Sequence, residues 1–452
     1  MDGIGEKLAR PVPRQIELAA AWRRLVLESS RDDLWKLASL ADLRKVVVIL
    51  SPPRSGSSLL FEILKNSSQI ISLDGEHVPL YKLHGLSFPH PPWTSDLIQG
   101  LEVPASMLRE LSCDWISGLG IGPVLPEPNF DEFVESVALR LSLQWPEIFS
   151  SIDSIFECVR KARERVAAWT DRRFHLELLN CLQEMSSAFS PFYYDLPKNL
   201  LQERFGPPPD SLGPPHPDFC LEEPPFILAK PRRRPTLDEI RSKPLLLKAS
   251  VDAHRLPVVH SLFSKADFKV IYLNRNPAGS INGLIDGWLY GGFFSHNLQG
   301  WAELSIPGYS DLFEWGRRWW KFDLPPDWQK ITCEPLEYVC GFQWLSSHWS
   351  LLESLGSGPW RHVIQIRFED LIASKRRRRL ALAKIADFIG IPFDASLQAA
   401  VDKAPIVMAT SRPAKQRWTR HRERIWPVVS QEAIVKMSRS LGYSLNNCEE
   451  WL

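Results

Sequence analysis

Arg54, Ser55, Ser57 and Ser58 crowd around one glycine, Gly56. A permanent cation and three hydroxyls at that spacing make anion-binding chemistry. Their surroundings suit it. Val46-Val47-Val48-Ile49-Leu50 is an unbroken, β-branched apolar run and reads as a buried strand of a mostly parallel sheet. Pro52 and Pro53 stop it, and Leu59 to Lys65 read as a helix. A strand, a tight loop and a helix aim free backbone N–H groups and a helix dipole at one point. The Walker form of such a loop has a lysine directly after its last glycine, to reach the outer phosphates. Here Ser57 stands in that place, and the basic residue comes two positions before Gly56.

A second strand pattern, Phe268 to Asn274, ends in Arg275-Asn276-Pro277. The planar fork of a guanidinium meets phosphate oxygens two at a time. Together these segments carry a resemblance. Pro53-Arg54-Ser55-Gly56-Ser57-Ser58-Leu59-Leu60 resembles the 5'-phosphosulfate loop of sulfotransferases, which use 3'-phosphoadenosine 5'-phosphosulfate (PAPS) and release the bisphosphate PAP. Asn274-Arg275-Asn276-Pro277 is similar to their 3'-phosphate element. Three more stretches follow the family's order. These are the strand ending Lys248-Ala249-Ser250, the late strand stretch Ile364 to Leu371 with the helix stretch Ile385 to Phe393, and the basic loop Ser411 to Trp418. The matches span 45–80 and 244–425. Where the family usually has a Ser eight residues after the 3'-phosphate Arg, this chain has Gly283, with Asn282 and Ser280 nearby. The family's Arg-Lys-Gly triplet is absent from the last loop.

The resemblance implies a three-layer α/β/α fold around a central, mostly parallel sheet. It divides the chain into an N-terminal helical segment (1–43), a 5'-phosphosulfate half (44–85), a Pro-rich and mostly helical insertion (86–243), and a 3'-phosphate half with a closing segment (244–452). It implies PAPS as donor, held by Arg54, Ser55, Gly56, Ser57 and Ser58 at one phosphate. Arg275, Asn282, Gly283, Arg417 and Trp418 would serve the other. Lys248 would sit at the transferring sulfonate. The family's branches place the general base differently, which leaves Glu76 (in Asp74-Gly75-Glu76-His77), Glu62, His77 and His254 as candidates. No metal is expected.

Composition bounds the rest. A chain of 452 residues with 44% hydrophobic residues can bury one large or two ordinary cores. A net charge of +1 gives no global pull toward nucleic acid or anionic membrane. Seven dispersed cysteines fit reduced thiols and a cytoplasmic protein. No signal peptide is read in Met1 to Lys7, and no apolar run is long enough to span a membrane. The runs Lys230 to Pro235 and Lys375 to Arg379 read as solvated basic faces, with polyanion patches as the other option. The aromatics of 283–296, and Trp301, Trp315, Trp319, Trp320 and Trp344, read equally as core or as acceptor pocket. The expected acceptor is a small molecule, lipid or glycan; its identity and the oligomeric state are not legible. Two other functions fit parts of the sequence. One is a P-loop kinase, which lacks its lysine and its acidic magnesium ligand. The other is a non-catalytic nucleotide-binding protein on the same fold.

Overall fold

The computed structural model describes residues 13–30, 33–101, 103–411 and 413–451. The expectation for Met1 to Lys7, the start of the N-terminal segment, and Arg412 lie outside them. Among the described residues there are eight strands: β1 Lys45–Leu50, β2 Ile71–Ser72, β3 Gly120–Ile121, β4 Leu245–Lys248, β5 Asp267–Asn274, β6 Phe294–Asn297, β7 Trp319–Lys321 and β8 His362–Arg367. Six of them form one sheet in the order β3-β2-β4-β1-β5-β8, and β6 and β7 form a separate pair. All pairings in the large sheet are parallel except that of β2 with the edge strand β3.

The apolar runs explain this sheet. Val46, Val48 and Leu50 of β1 enter one core with Leu245, Leu247, Val270 and Tyr272. Val47 and Ile49 enter the opposite core with Leu246, Ile271 and Leu273. Strands buried on both faces must be apolar at every position, which is why they read as continuous runs. Helix Ser57–Lys65 covers the second face through Leu60, Ile63 and Leu64, beside Leu382 and Ile385 of helix Lys375–Ile389. Helix Pro277–Trp288 covers the first face through Ile281, Leu284 and Trp288, with Trp344 of helix Leu336–Ser357. The result is a three-layer α/β/α architecture.

The insertion is helical, as expected, and has a core of its own. Helices Phe130–Gln144, Ile152–Glu164 and Asp171–Met185 pack together with Val26 and Leu27 of helix Arg14–Ser29. The second and third of these are separate helices, and Thr170 caps the third by accepting from the Arg173 N–H. The insertion also joins the main layer. It supplies edge strand β3, and Leu111, Trp115 and Ile116 of helix Ala105–Ser117 enter the sheet's first core.

One basic run departs from its expectation. Lys230 to Pro235 is not a solvated face. Lys230 pairs with Glu62 at 2.9 Å and Arg234 with Glu135 at 2.9 Å. The nearly enclosed Arg232 donates to the carbonyls of Gly120 (2.9 Å) and Gly122 (3.0 Å). Carboxylates and strand-edge carbonyls satisfy the charges, and the segment sews the insertion to β2 and β3. Lys375, Arg376, Arg377 and Arg379 are exposed at a helix start, as read.

The Pro-rich loop after residue 86 is fastened by one wholly buried carboxylate. Asp96 accepts from Arg255 at 2.5 Å, from the Leu324 N–H at 2.7 Å and pairs with His296 at 3.2 Å. These cations and N–H groups hold its pKa well below the usual carboxylate range, against the cost of burial. Asp96→Asn should strand the enclosed Arg255 charge and cost about 3–5 kcal/mol. A urea titration should show a lower midpoint with an unchanged slope; a midpoint within error of wild type would contradict this account.

Candidate functional site

The site lies where the sheet reverses its direction of growth. β1 has β4 on one side and β5 on the other, and the three end within a few residues of one another, with Lys248 opposite Ile49 and Leu50 opposite Tyr272, two residues before the end of β5. A crevice outside the carboxyl ends of strands at such a point is where open α/β sheets bind ligands. Two helices start there, Ser57–Lys65 after β1 and Pro277–Trp288 after β5. Their first-turn N–H groups have no partner within the helix and carry the positive end of its dipole.

Local chemistry fixes both starts. Arg54 has φ of 62° and Gly56 has φ of 94°, so the loop makes two left-handed turns before the helix begins at Ser57. Gly56 is required twice over. Its φ is one that side chains rarely adopt, and a Cβ there would lie 2.1 Å from the ring of Phe368. The second helix is capped by Asn276, whose side chain accepts from the Gly279 N–H at 2.7 Å, and Pro277 fills the first position, where no N–H is needed. The Asn-Pro of the sequence pattern is thus helix-start chemistry. Glu369 locks it by accepting from the Asn276 backbone (3.0 Å) and side chain (2.6 Å).

Three guanidiniums meet on one side of the loop. Arg54 donates to the carbonyls of Gly283 (3.3 Å) and Met408 (3.0 Å) and to the Thr410 hydroxyl (3.3 Å), and lies over the Phe293 ring. Arg275 donates to the Arg54 carbonyl at 3.2 Å and lies 4.7 Å over the Phe368 ring. Arg417 pairs with Asp286, which also accepts from Asn282 at 3.2 Å. Burial, followed by the charges of Arg275 and Arg417, pushes Arg54 down to about 10. Burial brings Arg275 to about 10 as well, with Arg417 repelling and Glu369 opposing the shift. The Arg275 Nε, Asn282 Oδ1 and Ser51 Oγ atoms are buried here without a hydrogen-bond partner. Repelling cations, orphaned polar atoms and helix N-termini fit an anion of several charges.

The other side of the loop is different. Lys248, at the end of β4, donates to Ser58 Oγ at 3.1 Å and pairs with Glu76. The lysine side chain is nearly enclosed, while Glu76 is 37% exposed. Ser57 is buried, and Ser55 meets the Ser280 hydroxyl at 3.4 Å on the partner helix.

The sequence-predicted residues therefore fall into groups. Arg54, Gly56, Arg275, Asn282, Gly283 and Arg417 come together on the guanidinium side. Ser58, Lys248 and Glu76 come together on the other. Arg54 was read as a ligand of the 5'-phosphate, yet its side chain turns toward Arg275, because its own left-handed backbone points it there. Gly283 has a reason: Arg54 runs across it, so a Cβ would lie 3.2 Å from Arg54 Cβ. Glu62 is tied to Lys65 (2.8 Å) and Lys230 (2.9 Å), and these cations lower its pKa despite burial. Such a carboxylate is a weak base. His77 is enclosed against Asp252 at 2.9 Å, and His254 between Asp323 (2.8 Å) and Ser350 (2.9 Å). His77 Nε2 forms no aligned hydrogen bond at that distance, whereas both ring nitrogens of His254 have partners. Trp418 is buried against Trp426 and Trp451 and acts as a prop beside Arg417. Trp319, Trp320 and Trp344 are wholly buried core, not pocket lining.

Phe368 and Glu369 lie inside the late-strand stretch but carry no assigned role in the sequence reading, and Met408 and Thr410 escaped it altogether. Phe368 and Glu369 follow β8 directly, and that adjacency was the available signal. Nothing in the sequence marks Met408 or Thr410.

No family model and no curated protein matches the chain. Solved structures similar to it include a sulfotransferase domain from the curacin biosynthetic pathway, at 15% identity and a TM-score of 0.36, covering 89% of this chain and 99% of that one. Another is the sulfotransferase domain of a Synechococcus olefin synthase, at 14% and 0.36, covering 89% and 96%. A third is sulfotransferase STF9 from Mycobacterium avium, at 11% and 0.36, covering 94% and 86%. Likenesses of this size carry no argument about chemistry. Among the described residues no helix is long and apolar enough to cross a membrane.

Gly56→Ala should distort the loop by both routes above, at a cost of about 1–3 kcal/mol for the backbone strain alone. A lowered thermal midpoint is the expected readout; an unshifted one would show that the Phe368 ring moves freely aside.

Proposed function

We propose that this chain is a sulfotransferase. It takes the sulfuryl group of PAPS and gives it to a hydroxyl or amine of a second substrate. The convergence of Arg54, Arg275 and Arg417 beside two helix N-termini supports this most directly. The guanidiniums on one side of the loop suit one dianionic phosphate, and the helix N-terminus with Ser57, Ser58 and Lys248 on the other side suits a second, as a bisphosphorylated nucleotide requires. The ordered sequence resemblance supports the same donor, and the absence of a lysine after Gly56 argues against a Walker nucleotide.

In this proposal Arg275, Arg54 and Arg417 hold the 3'-phosphate, with Asn282 and the Gly283 backbone beside them. The N–H groups of residues 55–58 and the hydroxyls of Ser57 and Ser58 hold the 5'-phosphate. PAPS supplies an activated sulfuryl group on a phosphate leaving group. Lys248 has two tasks. It neutralises charge gathering on the leaving phosphate oxygen, and it hands over Glu76 as it turns to that oxygen. Glu76, released, takes the acceptor's proton. The acceptor oxygen bonds to sulfur as the sulfur–oxygen bond to phosphate breaks, and the electron pair of that bond stays on the phosphate. In-line placement supplies the rest of the rate, as in phosphoryl transfer.

A thermal-shift titration tests the donor. PAP at about 100 times its dissociation constant should add about 2.7 kcal/mol to the folded state. Arg275→Ala should abolish that gain. Stabilisation by ATP with magnesium and none by PAP would replace the sulfotransferase with a phosphotransferase. For the base, Glu76→Gln should keep PAP binding and lower turnover by about 10²–10⁴. Unchanged turnover in that variant would remove Glu76 from the chemistry.

A further inference from the structure

Behind Glu76 lies a cavity of about 70 Å³, open at one side, between the sheet edge and the insertion. That is room for roughly five waters by the one-probe criterion. Glu76 borders it and also pairs with Lys248, so a single carboxylate stands between the donor loop and this space. Leu73, Leu80, Leu119, Leu139 and Leu143 give it an apolar wall.

The polar wall is cationic, and most of it is spent. Arg23 binds Asp114 (2.5 Å) and the Leu139 carbonyl (2.8 Å). Arg232 is consumed by Asp74 and by strand-edge carbonyls. Lys230 pairs with Glu62, and Arg234 with Glu135. Asp74 and Asp114 are occupied by the same pairs, which leaves Glu76 as the acceptor facing the cavity.

Arg140 differs. Its Nε lies 3.0 Å from Glu222 without an aligned hydrogen bond. Glu222 is shared, because its other oxygen accepts from Gln144 Nε2 at 3.1 Å and from the Ile227 N–H at 3.4 Å. Arg140 lines the cavity together with Glu76, and its Nη2, with Ile227 Cδ1, lies where a Cβ on Gly75 would sit, at 2.5 and 2.3 Å, which puts the guanidinium beside the residue that precedes Glu76.

We infer that the cavity is the acceptor site and that Arg140 selects acceptors carrying an anionic group, a carboxylate or a sulfonate or phosphate ester, a short apolar span from the reacting hydroxyl. This rests on the sulfotransferase assignment, with the hydroxyl at Glu76, the apolar span on the leucine wall and the anion on the terminal nitrogens of Arg140. A planar fork and a flat oxyanion pair well, and a neutral group in the same place would leave the cation facing nothing.

Calorimetry on the full chain saturated with PAP tests this with three probes: 4-hydroxybenzoate, 4-hydroxybenzenesulfonate and the neutral methyl 4-hydroxybenzoate. At least one anion should bind roughly tenfold or more tighter than the ester, the margin that a charged hydrogen bond supplies. Arg140→Gln should bring that ratio to near one, and Arg140→Lys, which keeps the charge and loses the fork, should fall between. PAP affinity in each variant reports an intact fold, since Arg140 lies outside the donor cluster. The carboxylate and sulfonate arms separate the two anion types. An ester that binds as well as both anions, an anion preference that survives Arg140→Gln, or no probe binding up to about 10 mM would each overturn the inference. Failure of PAP itself to bind would instead overturn the donor assignment.

Discussion

Mutual repulsion among Arg54, Arg275 and Arg417 is the constraint around which this molecule is organised. Three permanent cations are held together, two of them deep enough that burial and like charge lower their pKa to about 10. Flexible surface arginines would drift apart. These are held by backbone geometry and by aromatic planes. A left-handed turn aims Arg54, Phe293 and Phe368 lie under the guanidiniums, and Asp286 holds Arg417. The sheet supplies the rest, because β1 and β5 end side by side and each launches a helix toward the cluster. Much of the core, from the Val46–Leu50 run to Trp288 and Trp344, serves to keep those two strand ends rigid.

The loop that carries this charge has two unlike faces. Arg54 leaves on one and Ser58 on the other, four residues later. Lys248 reaches the second face because β4 alternates. Leu245 and Leu247 fill one core, Leu246 fills the other, and the next even position puts Lys248 on the side of the loop helix. Glu76 then extends the line away from the loop and into the cavity bordered by the insertion. The guanidinium cluster and the Lys248–Glu76 pair thereby lie on opposite sides of the loop, and the insertion borders both, through Asp195 at Met408 and through the cavity at Glu76.

How much of this was legible follows from range. The strand, loop and helix around Gly56 are local, and so is the Asn276-Pro277 helix start; residue types alone revealed both. Arg275 was found because it ends a strand of readable pattern. The misread parts all depend on partners far away in sequence. Lys230 to Pro235 looked like a solvated run because Glu62, Asp74 and Glu135 lie 99 to 168 positions from it. His77 and His254 carried catalytic promise as types, but Asp252 and Asp323 enclose them. Phe368 serves Gly56 and Arg275 at once, and no pattern within β8 announces that. The tryptophans read equally as pocket or core because composition holds no information on depth.

The Met408 carbonyl and the Thr410 hydroxyl already accept from the terminal nitrogens of Arg54, while Arg275 Nε beside it has no partner. Arg54 itself is thus satisfied from within the chain. At Arg54, entry of an anion is a substitution of ligands, not the filling of a void, and its net affinity there is the difference between two sets of bonds. That stretch is also the one whose Met408 N–H reaches Asp195 of the insertion at 3.4 Å. The 408–410 stretch thus links the Arg54 guanidinium to the insertion.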